Sequence, residues 1–336
     1  MLKAFLKRVV EGENLSQADA AEAMRIIMSG EATSAQIAGF LVAMRLKGET
    51  VDEITGFASV MREMATRIEA PEDAIDTCGT GGDRASTFNI STAAALVAAG
   101  MGVKVAKHGN RAASSNSGSA DVLKELGVNI DADCDVVARC VREAGIGFLF
   151  AARLHAAMKH AIGPRREMGI RTFFNMLGPL TNPARARRQL IGVYDGRLTE
   201  TVAGVLHKLG SVRAMVVHGA DGLDEITISR ETIVTELCDG AVRTFSISPE
   251  DLGLTRSPLS ALTVSGPAEG AEAVRHVLSG RMGPRRDIVL ANAAAAAVVA
   301  GRAETLPEGI RLAEESIDSG KAAKALELLV AVSNSK

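Results

Sequence analysis

The order in which strand and helix patterns follow one another is the feature that most constrains the fold of this chain. From about residue 73, short apolar runs that end in glycine turns alternate with helical stretches, as in "AIDTCGTGGD", "NISTAAALVAAG", "VKVAKHG" and "GSADVLKELG". Such alternation predicts an α/β fold with a mostly parallel central sheet flanked by helices. Ligands of such sheets bind beyond the carboxyl ends of the strands, so the loops that follow the strands are the expected functional regions.

The first 68 residues show helical spacing of apolar residues and no strand pattern. Ser16 and Thr33 each precede such a run, and both are predicted N-caps. A length of 336 residues is long for a single core, so we predict two domains. In this prediction residues 1–68 form a small helical domain, joined in space by part of residues 163–185, and residues 69–336 form a large α/β domain.

After its parallel strands, the α/β domain is predicted to contain an antiparallel hairpin and then helices. "TIVTELCDGAVRTFSI" indicates an antiparallel hairpin that turns at Asp239 and Gly240. Three helices are predicted to follow, near residues 267–279, 285–300 and 305–333. Residues 163–184 are interpreted as apolar and proline-bounded turns.

The charge and the aromatic content bear on the class of partner. The formal net charge is −2, and the chain has one tyrosine and no tryptophan. We therefore expect neither a global attraction to nucleic acid or anionic membranes nor stacking platforms for single strands. Small molecules are the expected partners.

Cysteine usage and apolar runs indicate a cytoplasmic protein. The four cysteines form no CxxC pair and no zinc spacing, and such sparse use fits a reducing compartment. The N-terminal stretch is amphipathic rather than a signal peptide. The longest apolar run, "IVLANAAAAAVVAG", is too short to span a bilayer. We expect no membrane association.

The stretch "DTCGTGGDRASTFNIST" has the glycines of a phosphate-binding loop. It lacks the third glycine of the dinucleotide motif and the GK[ST] of a Walker loop. Gly79, Gly81 and Gly82 let backbone amides approach an anion, and Asn89 to Thr92 begin a helix whose free amides favour a phosphate. A simple tight turn and ordinary helix capping are the alternative interpretations.

A second polar loop, "KHGNRAASSNSGSAD", follows the next predicted strand. Lys107, His108 and Arg111 bring positive charge to the end of that strand. The serines that follow are Ser114, Ser115, Ser117 and Ser119. A solvated, mobile loop is the alternative. We favour a loop that closes over a polyphosphate, because two phosphate-type loops would then follow consecutive strands.

The loop "HGADGLDEIT" is acidic, with Asp221, Asp224 and Glu225 placed after a predicted strand. Magnesium prefers one or two carboxylates together with waters and substrate phosphates. We therefore predict a magnesium site, with an acidic surface turn as the alternative.

The stretch "GPRREMGIRTFFNMLGPLTNPA" contains Arg165, Arg166 and Arg171. Arginine binds carboxylates through two parallel hydrogen bonds, so one of these side chains is predicted to hold a carboxylate-bearing substrate. The alternative is that all three pair with acidic residues elsewhere in the chain.

Taken together, these segments resemble the anthranilate phosphoribosyltransferase family. The motifs "CGTGGD", "FNIST", "KHGNR", "SGSADVLKELGV", "RTFFNMLGPLTNP" and "GLDE" stand in that family's order and spacing, and the resemblance covers essentially the whole chain. It implies a small helical domain plus a large α/β domain related to pyrimidine nucleoside phosphorylases, and a homodimer formed through the helical domain. It also implies transfer of the phosphoribosyl group of phosphoribosyl pyrophosphate to the amine of anthranilate, with Mg²⁺, in tryptophan biosynthesis.

The resemblance also implies roles for individual residues. The residues implied for anthranilate are Gly79, Asn110 and Arg165, and those implied for Mg²⁺ are Ser91, Asp224 and Glu225. The residues implied for the phosphoribosyl donor are Gly79, Gly82, Asp83, Thr87, Asn89, Ile90, Ser91, Thr92, Lys107, His108, Gly109, Asn110, Arg111, Ala112, Ala113, Ser114, Ser115 and Ser119. The chemistry requires no general base, and His108 is the nearest candidate for one.

Two other functions stay open. A pyrimidine nucleoside phosphorylase-like enzyme would run similar chemistry with free phosphate as the nucleophile. A non-catalytic relative would bind nucleic acid through a basic stripe. The "KHGNR" loop and the Asp-Glu pair favour the pyrophosphate donor, and the net charge of −2 speaks against nucleic acid.

Overall fold

The structure, a computed structural model, describes residues 1–83, 85–111 and 118–335. Its N-terminal helices are α1 (Leu2–Val10), α2 (Gln17–Met28), α3 (Ser34–Lys47) and α4 (Val51–Met64). Ser16 Oγ accepts a hydrogen bond of 3.1 Å from the Asp19 amide, and Thr33 and Gln36 form a reciprocal capping box. Both predicted N-caps are thus confirmed, since each satisfies an amide that the first helical turn leaves free.

Aromatic side chains connect these helices with a later segment of the chain. The rings of Phe57 and Phe173 stack with their centroids 4.3 Å apart, and Phe40 packs edge-on against both at 6.2 and 6.3 Å. All three side chains are fully buried. Burying large rings stabilises a core strongly, so the segment around residue 173 packs with the N-terminal helices. The domain boundary at residue 68 stays a prediction.

The remainder of the described chain alternates helices with the strands of one sheet. The strands are β1 (Ile75–Gly79), β2 (Val105–Gly109), β3 (Ile146–Phe150), β4 (Arg188–Gly192), β5 (Arg213–Gly219), β6 (Thr232–Cys238) and β7 (Ala241–Ile247). Their order across the sheet is β3-β2-β1-β4-β5-β6-β7. The pairings from β3 to β5 are parallel and the last two are antiparallel, which confirms the predicted mostly parallel sheet.

Helices cover the sheet, and two of them are rich in alanine. The helices of this part are α5 (Ile90–Gly100), α6 (Ser119–Glu125), α7 (Cys134–Glu143), α8 (Ala151–Leu154), α9 (Lys159–Met168), α10 (Phe174–Leu180), α11 (Thr199–Lys208), α12 (Pro267–Leu278), α13 (Pro284–Ala300), α14 (Leu306–Asp318) and α15 (Lys321–Ser333). Most alanines of α5 and α13 are buried where these helices meet. In the described part of the chain, no helix is long and apolar enough to cross a membrane.

Two predicted elements need correction. The helix predicted over residues 305–333 is two helices, because Gly320 adopts a left-handed φ of 77° between them. Residues 163–184 contain most of α9 and all of α10 rather than turns. Pro164 and Pro179 lie inside these two helices and hide their helical pattern in the sequence.

The predicted hairpin is confirmed. β6 and β7 pair from Thr232 with Ile247 to Cys238 with Ala241. Asp239 and Gly240 form the turn with φ values of 49° and 80°, as a two-residue hairpin loop of this twist requires.

Candidate active site

The candidate site lies where the strand order of the sheet reverses, between β1 and β4. The Thr80 amide donates a hydrogen bond of 2.9 Å to the Gly192 carbonyl, and the Tyr194 amide donates one of 3.1 Å to Thr80 Oγ1. The loops that follow the two strands are therefore joined directly. The glycine loop, residues 79–83, thus occupies the position where an open α/β sheet binds its ligand.

The acidic loop reaches the same point from a distant part of the sequence. The Gly81 amide donates a hydrogen bond of 2.7 Å to Asp224 Oδ2. A Cβ atom at Gly79 would lie 2.5 Å from the same oxygen, and a Cβ atom at Gly192 would overlap the backbone carbonyl of Asp224. The two glycines therefore allow Asp224 to lie directly over the strand ends.

Three carboxylates gather where the two loops meet: Asp83, Asp224 and Glu225. Asp83 and Asp224 lie close enough for each to affect the pKa of the other. Burial is the main cause that raises the pKa of each group, and repulsion from neighbouring carboxylates adds to it for Asp224 and Glu225. The pKa of Glu225 rises to about 8. A cation would relieve this crowding, because buried like charges favour the neutral acid in its absence.

Lys107 lies beside these carboxylates and is only 1% exposed. Its Nζ donates hydrogen bonds of 2.5 Å to the Thr77 carbonyl and 3.0 Å to Ser91 Oγ. Burial lowers the pKa of Lys107, while its charge counteracts the rise in the pKa of Glu225. The structure thus brings a buried ammonium, a hydroxyl and the carboxylate cluster together.

The oxygen donors of this site fit Mg²⁺ better than a soft metal, because they are carboxylates and a hydroxyl. Across residues 1–83, 85–111 and 118–335, no group of three or more His, Cys, Asp or Glu side chains is arranged to hold a metal ion. Magnesium commonly keeps waters and takes further ligands from substrate phosphates. The residues present therefore fit an ion that arrives with a polyphosphate.

The start of α5 shows the capping that was one interpretation of its sequence. Asn89 Oδ1 accepts a hydrogen bond of 3.1 Å from the Thr92 amide and another from the Thr92 hydroxyl. Ile90 and Thr92 are buried, and Thr87 pairs with Thr263 in an isolated bridge. The side chains of Asn89 and Thr92 are thus engaged within the protein. Donor binding by residues 87–92 stays a prediction that rests on Ser91 and on the backbone amides.

The second predicted phosphate loop is described at its two ends. Ser119 Oγ donates a hydrogen bond of 3.3 Å to the Asn110 carbonyl, so the ends meet. A Cβ atom at Gly109 would overlap Ser119 Oγ, and Arg111 lies 3.5 Å from Asp121. The ends are therefore fixed close to Lys107 and the carboxyl end of β2. The predicted donor-binding residues outside the described residues are Ala112, Ala113, Ser114 and Ser115.

Two buried histidines lie next to this end of β2. His108 Nδ1 donates a hydrogen bond of 3.1 Å to the Gly178 carbonyl of α10, and its ring centroid is 5.2 Å from that of His155. Both Nε2 atoms are buried and have no hydrogen-bond partner among the described residues. Burial lowers the pKa of His108 to about 3 and that of His155 to about 4. His108 is therefore neutral, offers Nε2 as an acceptor and is a weak general base.

Arg165 reaches α10 from the neighbouring helix α9. Its guanidinium carbon lies 4.8 Å from the ring centroid of Phe174, the first residue of α10, and Gly178 is about one turn further along. Arg165 has no ion-pair partner among the residues that the structure describes, and burial lowers its pKa. Its guanidinium is thus available for a carboxylate beside α10.

Arg171 supports the glycine loop instead. Its Nη2 donates a hydrogen bond to the Gly82 carbonyl, and its guanidinium carbon lies 4.2 Å from the Tyr194 ring centroid. Arg45 of α3 donates to the backbone carbonyl of Arg171. This residue therefore connects the N-terminal helices with the glycine loop, whereas Arg166 is exposed.

Both the N-terminal helices and the α/β part of this chain match the domains of a known protein family. Residues 3–65 match the helical bundle domain of the glycosyl transferase family, and residues 71–323 match its a/b domain. The anthranilate phosphoribosyltransferase of Moorella thermoacetica is 59% identical over 332 residues, which are 98% of each chain. This chain belongs to the anthranilate phosphoribosyltransferase family.

Solved structures of anthranilate phosphoribosyltransferases share the fold. The Thermus thermophilus enzyme is 44% identical, with a TM-score of 0.94 over 98% of this chain and 99% of its own. The Saccharomyces cerevisiae enzyme in complex with PRPP and Mg is 30% identical, with a TM-score of 0.91 over 100% of this chain and 98% of its own. A complex of that enzyme with 4-fluoroanthranilate gives a TM-score of 0.90 at 29% identity, with the same coverage.

Several residues at this phosphoribosyltransferase-type site were not singled out from the sequence. Asp76 is fully buried and accepts a hydrogen bond of 3.0 Å from the His108 amide, so it fixes the carboxyl end of β2. His155, Gly192 and Asn292 were missed as well. None of them stands in a motif, because each acts through contacts with residues far away in the sequence. Gly192, which closes a predicted strand as Gly79 does, carried the clearest signal.

Proposed function

We propose that this chain is an anthranilate phosphoribosyltransferase that transfers the phosphoribosyl group of phosphoribosyl pyrophosphate (PRPP) to the amine of anthranilate and releases pyrophosphate, in tryptophan biosynthesis. The observation that carries this proposal is the meeting of the glycine loop, Lys107 and the carboxylate cluster at one switch point of the sheet. A site that combines anion-binding backbone, a buried ammonium and crowded carboxylates suits a polyphosphate that arrives with a divalent cation.

The donor would lie over the carboxyl ends of β1 and β2. Backbone amides of the glycine loop and of the first turn of α5 would face its phosphates. Lys107 would add a positive charge from below, held in place by Thr77 and Ser91. The ends of the second loop, at Asn110 and Ser119, would close the pocket from the side of β2.

The fit of Mg²⁺ to this donor rests on the oxygen atoms of the site. Ser91, Asp224 and Glu225 would hold the ion, and Asp83 would face it or its waters. When bound, Mg²⁺ supplies positive charge that stabilises the departing pyrophosphate. The carboxylate in the glycine loop, unexpected in a phosphate site, is accounted for in this way.

The acceptor would lie between α9 and α10. Arg165 would bind the carboxylate of anthranilate, since its guanidinium is partly buried and free of acidic partners within the described residues. Gly79 and Asn110 would border the acceptor on the donor side.

Catalysis would come mainly from positioning. The amine nitrogen would attack C1 of the ribose from the face opposite to the pyrophosphate, so that the C1–N bond forms as the C1–O bond breaks, and the amine would then lose one proton to the departing pyrophosphate or to water. Lys107 would stabilise the charge that develops on the leaving group.

We also propose a cytoplasmic homodimer formed through the N-terminal helices. Exposed apolar side chains on the N-terminal helices support this choice of interface. Val10 of α1 is 68% exposed, and Leu46 of α3 is 82% exposed. Burying such side chains between two subunits would be favourable. Light scattering should give twice the mass of the chain, and Leu46→Lys should give a monomer, whereas Met282→Lys, at a site 77% exposed elsewhere, should not.

Calorimetric titration with PRPP tests the donor site directly. We expect binding in the presence of Mg²⁺ and a large loss of affinity when the ion is chelated. An affinity for PRPP that is the same with and without Mg²⁺ would favour a phosphorylase instead. Binding of phosphate and thymidine in place of PRPP would favour it too.

A further inference from the structure

An asparagine is buried in the middle of the alanine-rich helix α13. Asn292 is fully buried, and its nearest neighbours along the helix are Ala291 and Ala293, which are also fully buried. A primary amide in such surroundings costs free energy unless all of its polar atoms are hydrogen-bonded. An alanine or leucine would build the same helix without that requirement. The side chain of Asn292 therefore needs hydrogen-bond partners inside the protein.

That partner is the backbone of the acidic loop. Asn292 Oδ1 accepts a hydrogen bond of 3.0 Å from the Ile226 amide, and Asn292 Nδ2 donates one of 2.9 Å to the Ile226 carbonyl. Nδ2 donates a second bond of 2.9 Å to the Ile288 carbonyl, one turn earlier in the helix. The amide thus grips both polar groups of Ile226 and is itself fixed to α13.

Ile226 directly follows Asp224 and Glu225, the two predicted ligands of Mg²⁺. The side chain of Asp224 accepts a hydrogen bond from the Gly81 amide, on the side of the acidic loop that faces the glycine loop. Thr227 is held by the Thr232 hydroxyl at 3.1 Å. Between these two points, Asn292 is the side chain that anchors the loop backbone from behind. Its amide therefore restrains the loop at Ile226, next to the two carboxylates, while Asp221 fixes the loop through Leu223 and Thr227.

We propose that Asn292 is a positioning residue that sets where the carboxylates of Asp224 and Glu225 meet the metal-bound donor. This inference rests on the proposed function of the site. The amide touches neither substrate nor metal; it acts through the backbone of Ile226. Residues that orient metal ligands from behind typically change metal affinity by about 10- to 100-fold when they are replaced.

The test compares three variants of the full-length protein. Asn292→Ala removes both anchoring bonds, and Asn292→Ser keeps a hydroxyl too short to grip both polar groups of Ile226. Val298→Ala is the matched control, because Val298 is a buried residue of the same helix about 9 Å further along its axis. It loses core volume without touching the acidic loop. If Asn292→Ala does not fold, the comparison is made with Asn292→Ser instead.

Two readouts are needed. The first is the Mg²⁺ concentration for half-maximal transfer at saturating PRPP. The second is binding of Mn²⁺, as a paramagnetic substitute for Mg²⁺, to the protein with PRPP, followed by electron paramagnetic resonance without anthranilate. For the Asn292 variants we expect metal affinity to fall about tenfold in both, with the KM for anthranilate changed less than twofold. Val298→Ala should keep the metal affinity of the wild type.

Metal affinity that is unchanged in the Asn292 variants, or that falls equally in Val298→Ala, would overturn the positioning role while leaving the proposed function intact. A wild-type chain that neither transfers the phosphoribosyl group nor binds Mn²⁺ with PRPP would instead overturn the proposed function, and this inference with it.

Discussion

The backbone amide of Gly81 donates a hydrogen bond of 2.7 Å to a carboxylate oxygen of Asp224, 143 residues later in the chain. This bond joins the loop after β1 to the acidic loop after β5. Neither loop is a complete site, since one offers amides for an anion and the other offers carboxylates for a cation. Together they form a site for both, as a polyphosphate with its metal requires.

Replacing Gly192 by alanine should displace the acidic loop. The added Cβ atom would overlap the backbone carbonyl of Asp224, so either the loop or the end of β4 must move. We expect a loss of about 1–3 kcal/mol in the free energy of unfolding and a higher Mg²⁺ requirement. Urea denaturation and metal titration of the activity measure the two effects.

Gly204→Ala is the control for this change. Gly204 lies inside α11, where an added Cβ atom would make an ordinary contact of 3.5 Å with Val51. Alanine favours a helix over glycine, so this variant should be as stable as the wild type or slightly more stable. Equal behaviour of both variants would show that the close approach of Gly192 to Asp224 is unimportant.

Arg165→Ala should raise the KM for anthranilate much more than the KM for PRPP. A charged hydrogen-bonded pair contributes about 1.5–3 kcal/mol, so we expect an increase of about 10- to 100-fold for anthranilate. Steady-state kinetics with each substrate varied in turn measure both constants. Arg166→Ala, an exposed neighbour on the same helix, should change neither. Equal effects of Arg165→Ala on the two constants would remove this residue from the acceptor site.

The double variant Asp224→Asn with Glu225→Gln should weaken metal-dependent use of the donor. It keeps the size of both side chains and removes the charges that would hold Mg²⁺. Activity measured at limiting Mg²⁺ should fall steeply and recover in part at high Mg²⁺. Glu231→Gln, which changes a charge in a surface ion pair with Arg256, is the control. If activity at limiting Mg²⁺ were unchanged in the double variant, the acidic loop would be purely structural.

The buried His155 should make the protein less stable as the pH falls. Burial lowers its pKa from 6.5 to about 4, so between these values the unfolded chain binds a proton that the folded chain does not. Its contribution is fully present above pH 6.5 and is lost as the pH falls toward 4. From pH 7 to pH 5 we expect a loss of about 2 kcal/mol from this residue.

Urea denaturation of His155→Asn at both pH values checks this expectation. The variant should lose about 2 kcal/mol less than the wild type between pH 7 and pH 5. His207→Asn, at an exposed histidine of α11, should follow the wild type. Identical pH dependence in all three proteins would contradict the assignment of His155 as a buried neutral group.

Local patterns predicted the elements that local physics determines. The N-caps at Ser16 and Thr33 and the turn at Asp239 and Gly240 follow from side-chain oxygens and positive φ values, which need no distant partner. Alternating apolar runs likewise predicted the mostly parallel sheet. The helices around Pro164 were not predicted, because proline and glycine hide the helical period there.

The sequence predicted which residue types form the site more completely than it predicted which of these residues contact one another. Glycines, serines and charged residues after strands pointed to the right loops. The sequence does not show that Gly81 meets Asp224, that Asn292 anchors Ile226, or that Arg165 lacks an acidic partner in the described structure. Each of these facts depends on elements that meet only after the whole sheet has formed.

The most direct test of the central claim is a transfer assay that follows the loss of anthranilate fluorescence with PRPP and Mg²⁺, run beside phosphorolysis of thymidine and uridine. We predict that fluorescence falls only when PRPP and Mg²⁺ are both present, that pyrophosphate appears in equal amount, and that neither nucleoside is cleaved. Cleavage of a nucleoside by phosphate, with anthranilate left unchanged, would contradict the assignment.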